Sequence, residues 1–140
     1  MKHGRGRSLI AWTMSLYLAV SLAGAEAAAA PDYLLLQTDT AGALLIDRNS
    51  IRRVDGVQQA WTLYRHDRLV PAADLIPEHL AMAARYLFDC KTQRLALAER
   101  RYFGSRGATH AVKIEAVSGP RLSAAVDQRD RMLLAAVCAR

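Results

Sequence analysis

The chain has 140 residues, of which 52% are apolar and 23% charged, and its 19 Lys and Arg outweigh 13 Asp and Glu for a formal charge of +6. Once an N-terminal leader is set aside, about 110 residues remain, the size of one ordinary domain and too few for two independent cores. Lys2, Arg5 and Arg7 leave with the leader, so the remaining positive balance suits a solvated surface or an anionic partner rather than a nucleic acid.

The leader is read from its pattern. Lys2, Arg5 and Arg7 form a basic start, Leu9 to Leu22 an apolar stretch, and Ala23-Gly24-Ala25 or Ala25-Glu26-Ala27 a small-residue cleavage site. Residues 1–27 are therefore predicted to be a signal peptide, cut somewhere in 25–30, with a single domain over 31–140. The apolar stretch is about 14 residues long and contains Thr13 and Ser15, whereas a spanning helix needs about 20 apolar residues. No stable membrane anchor is expected after cleavage, and no cysteine lies near the cut to carry a lipid.

Two short apolar runs, Tyr33 to Thr38 and Ala43 to Asp47, flank the turn-forming Asp39-Thr40-Ala41-Gly42 and predict a hairpin. Asp55-Gly56 marks a second turn. Beyond it, Val57, Gln59, Trp61 and Leu63 alternate with Gln58, Ala60, Thr62 and Tyr64 at strand period, and Trp61 is expected to point into the core. Asp67 to His79, with Pro71 and Pro77, reads as a surface loop. Leu80 to Cys90 is assigned to a strand because Met82, Ala84, Tyr86, Phe88 and Cys90 share one face at spacing two. A tight turn at Lys91 to Gln93 returns the chain along Arg94 to Phe103, and Ala111 to Val117 forms a further strand. From Ser123 to Cys138 the period becomes helical, with Val126, Leu133, Leu134, Val137 and Cys138 on one stripe and Ser123 or Asp127 as cap.

Cys90 and Cys138 are the only cysteines and both follow the leader, so export to an oxidising compartment predicts that they pair. Such a crosslink clips the C-terminal helix onto the end of a central strand. The predicted architecture is α+β: an antiparallel sheet of about six strands packed with one C-terminal helix.

Catalytic signatures are missing from the motifs. His66, Asp67, Asp74, Glu78 and His79 have no recognised metal-ligand spacing, and Asp47 with Ser50 lacks the Gly-x-Ser-x-Gly elbow of a hydrolase. Asp47 and Ser50 are read instead as residues that hydrogen-bond nearby backbone and fix a corner between strands. Gly104 and Gly107 are turn residues without the Lys-Ser or Lys-Thr of a phosphate loop. No enzyme activity, cofactor or metal is expected. Arg94, Arg100, Arg101 and Arg106, with His110 nearby, form a candidate binding patch on adjoining strands; the alternative is a charged face that blunts edge pairing.

Asp47-Arg48-Asn49-Ser50-Ile51-Arg52-Arg53, Ala60-Trp61-Thr62-Leu63, Phe88-Asp89-Cys90 followed by Arg94-Leu95, Tyr102-Phe103-Gly104 and the closing Val137-Cys138 occur in an order that resembles the surface-adhesin protein E family. The resemblance covers essentially the whole mature chain. It implies an antiparallel sheet of about six strands with a C-terminal helix tied to it by one disulfide, and a non-catalytic binding role toward host matrix or serum proteins. The chain differs from that pattern in having Ala116-Val117 where a tryptophan is expected. Two readings of the partner follow: a host protein met by an adhesin, or a bacterial envelope protein met in the periplasm, with a second copy of the chain as a further option. A small hydrolase using His66 or Ser50 ranks last.

Overall fold

The computed structural model describes residues 29–139, so the predicted signal peptide lies outside the described residues. Six strands, β1 (Tyr33–Thr38), β2 (Gly42–Val54), β3 (Val57–Val70), β4 (His79–Asp89), β5 (Arg94–Phe103) and β6 (Lys113–Ala116), form an antiparallel meander in chain order. A two-residue strand, β7 (Ser123–Ala124), pairs with β5, and α1 (Gln128–Cys138) closes the chain. The predicted sheet, its helix and the strand assignment of Leu80 to Cys90 are all present.

Alternation along the strands decides which side α1 covers. Ala60 and Thr62 of β3, Ala84 and Phe88 of β4 and Leu95 of β5 lie within 4% of complete burial, together with Leu44 and Ile46 of β2. Leu133, Leu134 and Val137 of α1 form one core cluster with Leu44, Ile46, Ala60, Phe88 and Leu95. Alanine at position 60 adds little bulk between helix and sheet, so this small residue marks where the helix lies. Trp61 has the opposite parity. It is half-buried on the face away from α1, not in the main core as its sequence pattern suggests.

Two further expectations are corrected. β3 runs on past Arg65 through a register irregularity to Val70, which pairs with His79, so the loop is confined to residues 71–78 and His79 is buried. The helix begins at Gln128 rather than Ser123, and Val126 is 81% exposed instead of lying on its apolar stripe. The reason is local competition for β5. β6 ends its pairing at Glu99, and Ser123 and Ala124 then take the hydrogen-bonding edge opposite Leu95 and Arg94. Asp127, in extended conformation, next caps the helix by accepting from the Asp130 amide at 2.7 Å.

The disulfide joins Cys90, just beyond β4, to Cys138, the last residue of α1, with Cα atoms 5.4 Å apart. It fastens one end of the helix while Leu133, Leu134 and Val137 hold its middle.

Candidate binding face and its supporting framework

The corner predicted from Asp47 and Ser50 is built as a break in the β2–β3 register between Asp47 and Arg52. Ser50 Oγ donates to the Asp47 carbonyl at 2.7 Å and accepts from the Trp61 amide at 2.8 Å. One hydroxyl thus satisfies two backbone groups that the irregular register leaves without ladder partners. Asp47 Oδ1 accepts from the amides of Asp32 and Asn49 at 2.9 and 3.0 Å, which ties the segment before β1 to the same corner.

This corner sets the height of Trp61 on the side of the sheet opposite α1. Cross-strand pairing arranges that side in rows, because directly opposed residues point the same way. One row reads Tyr33, Asp47, Trp61, Arg85, Glu99, Ala116 across all six meander strands. The next reads Leu35, Leu45, Leu63, Ala83, Arg101, Ile114. Arg101 lies over the Trp61 ring with its guanidinium carbon 4.5 Å from the centroid, and Arg85 approaches the same ring at 6.0 Å. Glu99 holds both: Arg101 Nε donates to Oε1 at 2.5 Å and Arg85 Nη2 to Oε2 at 3.3 Å. Arg85 Nη1 also donates to buried Gln59 at 3.1 Å.

Two guanidinium groups therefore share one carboxylate and one indole, leaving a local positive excess on a preorganised aromatic platform. Tyr33, Leu35 and Ile114 stand exposed at the two ends of these rows, on the edge strands. Among the described residues, no helix or further strand packs over this face.

The four arginines of the sequence-derived patch do not converge. Arg101 points to this open face, whereas its neighbour Arg100 pairs with Ala84 and Glu115 on the opposite side. Arg94 stands at the far end of β5, opposite Asp89. Arg106 donates to the carbonyls of His66 and Asp67 at 2.8 and 3.0 Å and so ties the β5–β6 loop to β3. Strand alternation separates consecutive arginines as surely as it unites those two apart. Arg85 was missed as a platform residue because its role depends on the register that puts it beside Trp61 and Glu99.

On the helix side, four rings form a chain: Tyr64 to His66 at 4.7 Å, His66 to His79 at 5.0 Å, and His79 to Tyr102 at 5.1 Å between centroids. Carboxylates terminate it. Tyr64 donates to Asp39 at 2.8 Å and Tyr102 to Glu115 at 3.1 Å. Burial and the bond to Asp39 push the Tyr64 hydroxyl up to about 12, and desolvation with the Glu115 bond raises Tyr102. Desolvation, helped by neighbouring His79, lowers His66. His66 and His79 thus pack as rings against tyrosines. Among the described residues, no group of three or more His, Cys, Asp or Glu side chains converges as a metal site. His110 is exposed in the β5–β6 loop, where its ring contacts the Thr109 hydroxyl.

No curated protein and no solved structure gives a significant match to the chain. The order of strands, the terminal helix and the crosslink between Cys90 and Cys138 agree with the architecture that the sequence motifs imply. The model of the surface-adhesin protein E family matches residues 33–139, and the chain belongs to that family.

Proposed function

We propose that the chain is an exported, non-catalytic binding module that takes a protein partner on the open face of its sheet, at the cell envelope. The observation that carries this reading is the Trp61, Arg85, Arg101 and Glu99 cluster, flanked by exposed Tyr33, Leu35 and Ile114. Tryptophan, tyrosine and arginine are the residues that dominate protein interfaces, because each combines a rigid apolar area with a directed polar group. Membership of an adhesin family supports binding over catalysis. The excess of arginine over glutamate in the cluster favours a partner surface that presents an apolar side chain beside a carboxylate.

Export through the leader at residues 1–27 is part of the proposal. Among the described residues, no helix is long and apolar enough to cross a membrane. A second reading, a periplasmic assembly component with a bacterial partner or a second copy of the chain, draws on the edges. Leu34 and Leu35 on β1 and Ile114 on β6 expose apolar side chains beside strand edges that a further strand could join. Of the patch inferred from sequence, Arg101 belongs to the proposed face, while Arg94, Arg100 and Arg106 would meet an anionic partner only at other surfaces.

The test is a crosslinking pull-down from intact cells and from host matrix extract, using the mature domain with Trp61→Ala and Arg85→Ala as matched controls. Capture that both substitutions abolish supports the open face. Capture unaffected by either removes it, and protease resistance of the protein on whole cells transfers the role to the periplasm.

A further inference from the structure

A second concavity lies on the helix side, between the start of α1 and the sheet. Its floor is a cross-strand row in which Gln37 of β1 opposes Leu44, Leu44 opposes Tyr64, and Tyr64 opposes Met82. Asp39, His66 and Arg129, the last in the first turn of α1, complete the lining of a solvent-open cleft of about 340 Å³. That lies at the small end of the range for ligand pockets, the size for a single-ring compound.

Arg129 is the unexplained residue. Its Nε and Nη2 are sealed from solvent, and neither has a hydrogen-bond partner. A buried guanidinium donor without an acceptor carries a desolvation cost that native proteins rarely leave uncompensated. Its positive charge reaches the Tyr64 hydroxyl, whose ionisation it favours against the opposing pull of burial and Asp39. Asp39 does not supply the missing acceptor. Its Oδ1 is committed to the amides of Ala41 and Gly42 and to the Tyr64 hydroxyl, at 2.8 to 2.9 Å.

We propose that this cleft binds a small organic monocarboxylate with an apolar body. A turn of the Arg129 side chain toward the cleft would uncover its sealed donors to the carboxylate, since the guanidinium fork matches two oxygens of one acid group, and the Gln37 amide is also part of the lining. The apolar body would lie along Leu44, Tyr64 and Met82. Phosphate has no apolar body to cover Leu44, Tyr64 and Met82 and should bind less well. His66 is held toward its neutral form by burial and His79, so Arg129 is the cation that the cleft offers. This site is on the opposite side of the sheet from the protein-binding face and stands independently of it.

Benzoate, benzyl alcohol and inorganic phosphate are the probes, titrated into the mature, disulfide-bonded domain and followed by amide and Arg side-chain NMR shifts. Saturable shifts at Leu44, Tyr64, Met82 and Arg129 with benzoate are expected, with benzyl alcohol weaker by about tenfold or more, the worth of one charge-assisted pair. Phosphate should not saturate. Arg129→Gln should weaken benzoate by a similar factor, while Arg121→Gln, an exposed control, should leave it unchanged. Gln37→Glu at the exposed rim puts a second negative charge beside the site and should also weaken binding even if Arg129→Gln fails to fold. No saturation with benzoate at concentrations on the order of 10 mM, equal binding of benzyl alcohol or phosphate, or full retention of binding by Arg129→Gln or Gln37→Glu would each overturn the proposal.

Discussion

Reduction of the Cys90–Cys138 disulfide isolates the contribution of one covalent bond to the docking of α1. The two residues are 48 positions apart, and closing a loop of that length in the unfolded chain is worth about 4 kcal/mol in the chain-entropy treatment. The loop contains β5, β6 and β7 as well as the helix, so crosslinking restricts nearly half of the described chain before it folds. A domain of this size loses roughly 4–8 °C in Tm per kcal/mol, so reduction should lower the midpoint by roughly 16–32 °C. Urea unfolding with and without reductant, followed by Trp fluorescence and far-UV circular dichroism, measures the difference directly. The Cys90→Ser, Cys138→Ser double variant should behave as the reduced protein does, which separates loss of the bond from chemical effects of the reductant. The urea slope should also rise, because the uncrosslinked unfolded chain exposes more surface. Identical midpoints in the two redox states would refute the reasoning: Leu133, Leu134 and Val137 would then hold the helix without help, and the crosslink would have no thermodynamic role.

Arg101→Ala removes both the cap on the Trp61 ring and one partner of Glu99, and should cost about 1 kcal/mol with a shift in Trp fluorescence; an unchanged emission spectrum would contradict the stacked geometry. Gly42→Ala should destabilise strongly, because a Cβ there would collide with the Arg65 carbonyl oxygen, so only backbone displacement in the first hairpin could accommodate it; full stability of the Gly42→Ala variant would place the hairpin register elsewhere. Stability should fall as pH drops below about 6.5, since the fold disfavours protonated His66 and the unfolded chain does not. A second decline should follow in the carboxylate range, because hydrogen bonds hold Asp39 and Glu115 below their usual values and that stabilisation is lost as they protonate. At the alkaline end the sign reverses: Tyr64, pushed up to about 12, contributes stability that disappears as pH rises from its unfolded value toward that point. Thermal melts across pH with His66→Asn as control check the series, and a wild-type profile flat between about pH 8 and about pH 5 would refute the histidine component.

The number and order of the strands were largely legible in the sequence, because two-residue alternation and turn residues are local signals, whereas β2 and β3 run on to Val54 and Val70, past the expected Asp47 and Arg65, through register irregularities that only pairing reveals. Gln93 and Asp55 take positive φ in the turns that follow β4 and β2, where the chain must reverse within a few residues. The span Arg94–Phe103 and the assignment of Leu80 to Cys90 to a strand followed from such signals. The pairing of the two cysteines followed from their number and the expected compartment, and the family followed from short motifs spread over nearly the whole mature chain.

The tertiary structure decided which of two equally regular faces became the core. Alternation in β3 marks Trp61 and Ala60 as facing opposite ways but gives no preference between them. The helix docks on the alanine side because close approach needs small residues there, and the larger indole is left to be covered by arginines from β4 and β5. The same dependence on register explains why Arg100 and Arg101 part company, why Arg85 joins a platform with Tyr33 and Asp47 from distant stretches of sequence, and why Ser123 and Ala124 become strand rather than helix. Local sequence sets the period of each element, whereas the partner that fills the vacant edge or face is fixed only when all the elements pack at once.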